Sequence, residues 1–181
     1  MHGNWSSWRI KDVTHYVNRG VAPSYAPHDT GIVAISQKCV RSDRSMDPTL
    51  GRPVLSDPTL LESAARLRAG DILINSTGTG TLGRAAYVSA DDIYNNSPMI
   101  ADGHVTVLRT RPERVVPKYL WYLLATDGFY RFANQCLAVG STNQMELGRE
   151  SLRATGNRQG RGGSGVERTG RVPTIIEYSL P

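Results

Sequence analysis

Cysteine is nearly absent from this 181-residue chain, which carries only Cys39 and Cys136. Two thiols build neither a disulfide framework nor a cysteine-rich metal site. Both stand in apolar surroundings and read as small buried hydrophobes. Histidine is scarce too: His2, His15, His28 and His104 show no ligand spacing, and His104 is expected to be structural. Long apolar runs are missing. The longest aliphatic-aromatic stretch is Tyr119–Ala125, against roughly 20 residues for a membrane span. The start, Met1-His2-Gly3-Asn4-Trp5, lacks the charged-then-apolar pattern of a secretory leader. A cytoplasmic protein without a membrane partner is the expectation. Catalytic signatures are lacking as well. There is no Asn-Pro-Pro-Tyr methylase motif, no Gly-x-Ser-x-Gly elbow and no metal-binding spacing. The chain therefore reads as a non-enzyme with no cofactor.

Acidic residues are outnumbered, 16 against 21 basic ones, for a net charge of +5. From Leu152 onward, five arginines (153, 158, 161, 168 and 171) stand against Glu167 and Glu177, which accounts for +3 of that total. Residues 153–181 are Gly- and Arg-rich without period and read as a disordered tail, with Val172 to Tyr178 able to form one strand. Residues 1–152 are then one mildly basic domain, whose bulk charge alone says little about nucleic acid.

What is present centres on residues 70–88. Gly70-Asp71 opens an apolar run, Ile72 to Ile74. A Gly/Thr loop follows from Ser76 to Gly83, then a second short apolar run, Ala85 to Val88. Gly78-Thr79-Gly80-Thr81-Leu82-Gly83 fits G-x-G-x-x-G. A dinucleotide site also needs a helix starting at that loop, and the break at Ser89-Ala90-Asp91-Asp92 leaves no room for one. No Lys-Ser or Lys-Thr follows, so a phosphate loop fails as well. A strand-to-strand connection is the expectation, ahead of a loop that touches a nucleic-acid backbone, with a nucleotide-binding enzyme through Gly78–Gly83 as the remaining alternative.

The remaining elements follow in order. Ile10, Val13 and Val17 at helical spacing predict a helix, capped by Asp12 and stopped at Gly20. Ile32 to Ile35 reads as a strand. Residues 36–58 are polar and irregular. Leu60, Leu61, Ala64 and Leu67 predict a helix over 59–68. Asp91-Asp92 reads as a solvated turn or helix cap. Ile100 to Arg109 reads as one strand with Val105 and Val107 on the same side. Pro117 opens the strongest helix, and Phe129, Phe132, Ala133 and Cys136 resume its apolar face after a break at Asp127-Gly128. A polar loop, Gly140 to Gln144, leads to a short helix through Leu147 and Leu152.

Several pieces in order resemble the target recognition domain of type I restriction-modification specificity subunits. They are Trp8 with Asp12-Val13, Arg19-Gly20 and Pro23-x-Tyr25; Gly70-Asp71-Ile72-Leu73 with Gly83-Arg84; Ala101-Asp102-Gly103; Pro117-x-Tyr119-Leu120; and Gly140-Ser141-Thr142-x-Gln144-x-x-Leu147. The resemblance covers roughly residues 5–152. It implies an α+β fold: a single domain with a mixed sheet or partial β-barrel of short strands and peripheral helices. It implies a non-catalytic subunit that reads one half of a split double-stranded DNA site. Such a subunit binds a modification (methyltransferase) subunit and, through the complex, a restriction subunit. The family usually carries a second recognition domain and spacer helices. Their absence here points to a truncated subunit, half of a split one, or an interaction remnant without DNA contact. DNA readout needs Arg or Lys for phosphate and guanine, and Asn or Gln for adenine. The loop candidates are Lys38, Arg41, Arg44, Asn75, Thr79, Arg84, Ser141, Asn143 and Gln144.

Overall fold

The computed structural model describes residues 9–139 together with 5–6, 144–145 and 178–179, and side chains for 9–135. The strands in chain order are β1 (Trp5–Ser6), β2 (Thr14–Arg19), β3 (Val33–Ile35), β4 (Arg52–Pro53), β5 (Ile72–Asn75), β6 (Ala85–Tyr87), β7 (Met99–Ala101), β8 (Val105–Thr110), β9 (Ala138–Val139), β10 (Gln144–Met145) and β11 (Tyr178–Ser179). The helices are α1 (Ile10–Val13), α2 (Pro58–Glu62), α3 (Ala90–Tyr94), α4 (Pro117–Leu124) and α5 (Asp127–Phe132).

Four strands form an antiparallel sheet in the order β2-β8-β5-β6, and three form a mixed sheet, β4-β3-β7, in which β3 and β7 run parallel. β9 pairs with β10 and β1 with β11. The described strands close no barrel, so the architecture is α+β with two main sheets of short strands.

The four-stranded sheet is covered on both faces. Strand alternation sends Ile72, Ile74 and Leu108 to one side, where they join Leu120, Leu124 and Phe129 of α4 and α5. It sends Leu73, Val105 and Val107 to the other, against Ile35, Cys39, Val40 and Met99 around the smaller sheet. Hence β5 and β8 are buried at every residue, as strands covered on two faces must be. Cys39 is buried and free, and Val105 and Val107 share a side as their spacing predicts.

Several expected boundaries move. The helix over 10–17 is one turn, and Thr14–Arg19 is strand. Ile10, Val13 and Val17 do share one cluster, so the pattern marks burial correctly. Pairing with β8, together with the β-branched Thr14 and Val17, decides the conformation. Asp12 sits inside that turn, where its carboxylate accepts from the backbone and guanidinium of Arg9. The helix over 59–68 stops at Glu62, because the chain turns to run beside β7, where Leu67 N–H donates to the Met99 carbonyl at 2.9 Å. The strand over 100–109 is two strands in different sheets, divided by the Asp102-Gly103-His104 turn. Asp92 caps α3 reciprocally with Ser89. The boundary expected at residue 152 and the helix expected through Leu147 lie outside the described residues.

Candidate nucleic-acid interface

The Gly/Thr loop joins antiparallel strands. Asn75 N–H donates to the Arg84 carbonyl and Gly83 N–H to the Asn75 carbonyl, both at 2.9 Å. No helix starts at the loop; the next, α3, comes only after β6. The arrangement is a hairpin, without the strand-to-helix turn that holds a pyrophosphate.

Two neighbours fix this hairpin loop. On one side Asn75 Nδ2 donates to the Gln37 carbonyl at 2.9 Å, which ties the turn after β3 to the end of β5. On the other, Tyr130 of α5 donates its hydroxyl to the Gly80 carbonyl at 3.2 Å, and Asn134 Nδ2 donates to the Leu82 carbonyl at 2.9 Å. Beneath the loop, Ser76 and Thr106 hydroxyls are hydrogen-bonded, and Thr77 Oγ1 meets His104 Nδ1 at 2.8 Å. The His104 amide donates to Asp102 Oδ1 at 2.8 Å. Burial pushes the Asp102 carboxyl up from the ordinary carboxylate range, against its hydrogen bond from His104. His104 is thus a structural link, as expected, although it stands in the turn between β7 and β8 and not within a strand.

The turn tied down by Asn75 carries Lys38, and the next turn, over residues 41–45, carries Arg41 and Arg44. Val40 and Met46 pair across it, and Arg44 N–H donates to the Arg41 carbonyl at 3.2 Å. Arg44 adopts φ 74, a left-handed conformation uncommon outside glycine. Asp43 accepts from Ser45 N–H and Oγ, which holds its carboxyl below the usual range.

These pieces enclose a cleft of about 230 Å³. Arg41, Ser42 and Arg44 form one wall, Gly83, Arg84 and Ala85 a second, and residues 124–127 with Tyr130 a third. Arg84 is held by its own guanidinium, which donates to the Gly80 carbonyl at 2.8 Å. Arg44 lies 3.9 Å from Asp127, an exposed pair at 50% and 85% side-chain exposure.

Of the sequence candidates, Arg41, Arg44 and Arg84 therefore meet at one cleft. Lys38 and Thr79 are exposed on the turn and on the hairpin tip. Asn75 departs from the expectation: it is fully buried, so its amide holds the turn and faces no surface. Gln144 opens β10, and its side chain lies outside the described residues, as do Ser141 and Asn143. Tyr130 and Asp127 were not among the candidates. The sequence offers only a helical aromatic and a helix-breaking Asp-Gly at those positions.

No family model and no curated protein matches the chain. Solved structures do. The chain is similar to the HsdS subunit from Thermoanaerobacter tengcongensis, with a TM-score of 0.51 and 14% identity over 80% of this chain and 35% of that one. A structure described as the basis of complex assembly and conformational transition of the type I R-M system matches with a TM-score of 0.48 and 16% identity, over 78% of this chain and 35% of that one. The chain thus spans about a third of the length of these structures, and over that part it shares the fold of the HsdS subunit. Among the described residues, no helix is long and apolar enough to cross a membrane.

Proposed function

We propose that this chain is a DNA-specificity module of a type I restriction-modification complex, reading one half of a bipartite duplex target. The observation that carries the reading is the shared fold with an HsdS subunit over 80% of the chain. The meeting of three separately expected arginines at one cleft supports it. In this reading Lys38, Arg41, Arg44 and Arg84 hold backbone phosphates, which set position and register. Thr79, Ser141, Asn143 and Gln144 supply polar contacts, with the amides suited to base edges. Asn75 acts indirectly, by fixing the Gln37 turn that carries Lys38 and leads into the turn with Arg41 and Arg44.

The module itself catalyses nothing; a modification subunit supplies methyl transfer, and a restriction subunit joins through the complex. A second recognition domain supplies the other half-site, and linking the two raises affinity without new contacts. Selection from a random duplex pool, with the full chain and a modification subunit, is the test. A recovered preference of a few base pairs supports the reading. Replacing Asn143 or Gln144 then relaxes one or two positions by about 1–3 kcal/mol. A pool that stays unenriched overturns it.

A further inference from the structure

We propose that the cleft between the 41–44 turn, the hairpin and α5 is a seat for one phosphate group, in which Asp127 is a built-in competitor. The identification of that phosphate as one of a DNA backbone rests on the function proposed above.

Three arginines from two separate loops line one space. They are held to different degrees. Arg84 is anchored by donating to the Gly80 carbonyl, which Tyr130 also engages, so its direction is fixed before any ligand arrives. Arg41 has no ion pair at contact distance among the described residues, although Asp43 is close enough to feel its charge. Arg44 is aimed by its left-handed backbone, and its guanidinium lies 3.9 Å from Asp127. A fork of N–H donors is suited to two oxygens of one anion. Asp127 offers a carboxylate where a phosphate would offer a doubly exposed oxygen pair. At that distance and exposure the pair is weak, so an incoming phosphate displaces it readily.

The carboxylate has a consequence for discrimination. Phosphate contacts carry no sequence information, and each one released from a counterion strengthens binding to every sequence alike. An acid beside the seat offsets part of that sequence-independent attraction. It leaves base contacts a larger share of the total. Asp127 is in this sense a specificity-determining residue that need not touch a base.

The test is a double-mutant cycle on the full chain with Asp127→Asn and Arg44→Asn, since Asn tolerates the left-handed backbone at 44. Asp127→Asn is expected to raise affinity for unrelated duplexes about two- to fivefold, the size of one exposed pair released. Arg44→Asn is expected to lower affinity and flatten the salt dependence by about 0.9 in log–log slope. In the Arg44→Asn background the gain from Asp127→Asn should vanish. A gain that persists there makes Asp127 a remote charge only and overturns the proposal. A second measurement uses inorganic phosphate at constant ionic strength and follows the melting temperature. Stabilisation that grows in Asp127→Asn and is lost in Arg44→Asn supports the seat even if no duplex binds, in which case the DNA reading alone fails. Phosphate that stabilises none of the three chains overturns the seat.

Discussion

The two ends of the β5–β6 hairpin are built in opposite ways. At the end where β5 begins, Asp71 accepts from Arg109 Nε at 2.9 Å and from a second guanidinium nitrogen at 3.0 Å, with both side chains buried. Arg109 also donates to the Arg66 carbonyl at 2.7 Å and stacks over Tyr16. Burial raises the Asp71 carboxyl while Arg109 pulls it down. At the loop end, Arg44 and Asp127 form a long pair in water. A buried pair cannot lose a partner without stranding a charge, whereas an exposed pair exchanges freely with an ion or a ligand. One end locates the strand; the other leaves its charges in exchange with solvent.

The sharpest way to break that contrast is Asp71→Ala. It leaves Arg109 buried without its carboxylate and should cost about 3–5 kcal/mol in denaturant unfolding. A cost near zero would mean that Arg66 and Tyr16 suffice to hold the guanidinium.

Next in size are two glycines of the loop. Gly83 and Gly80 both have left-handed φ, 80 and 75. A Cβ at Gly83 would lie 2.6 Å from Ala133 Cβ, whereas one at Gly80 meets nothing within 4 Å. Both alanine variants bear the conformational penalty of about 1–2 kcal/mol. Only Gly83→Ala adds overpacking, about 1–3 kcal/mol more. Equal melting temperatures for the two would show that the α5 side of the loop yields as easily as its open tip.

A smaller effect belongs to Asp102, beneath the loop. Its folded pKa is raised, so the fold favours the protonated form. Stability from this group is complete below the unfolded value and is lost as pH rises through the folded one. Asp102→Asn keeps an acceptor for the His104 amide and removes the charge. It should gain on the parent chain at pH 7, with that gain gone below about pH 4. Unfolding curves for both chains across this range check the sign. The smallest effect is that of Asp127→Asn, whose stability should stay within about 0.5 kcal/mol of the parent.

Local signals were enough for some of this. The hairpin was legible because apolar runs flank a glycine-rich loop, and α4 because Pro117 precedes a helical apolar face. β2 was not, since Ile10, Val13 and Val17 mark a buried face without saying what element carries it; β8, more than 85 residues on, decides that. The cleft was half legible. Arg41, Arg44 and Arg84 stood out as basic loop residues, but their meeting depends on Asn75 reaching Gln37 and Tyr130 reaching Gly80, contacts 38 and 50 residues apart. Asn75 itself ends an apolar strand, and that position is the available hint that its amide turns inward.

The place of β8 sets a timetable for assembly. β2 pairs in its sheet only with β8, and β5 has β6 on one side and β8 on the other. During synthesis, β2 at residues 14–19 has no sheet partner until residues 105–110 exist. Until then the β5–β6 hairpin is the only piece of that sheet able to form, with one β5 edge open to any passing strand. Closure over so long a loop is slow. A nascent chain therefore carries β2 and the β5–β6 hairpin apart until β8 is made, and the six residues of β8 join them into one sheet.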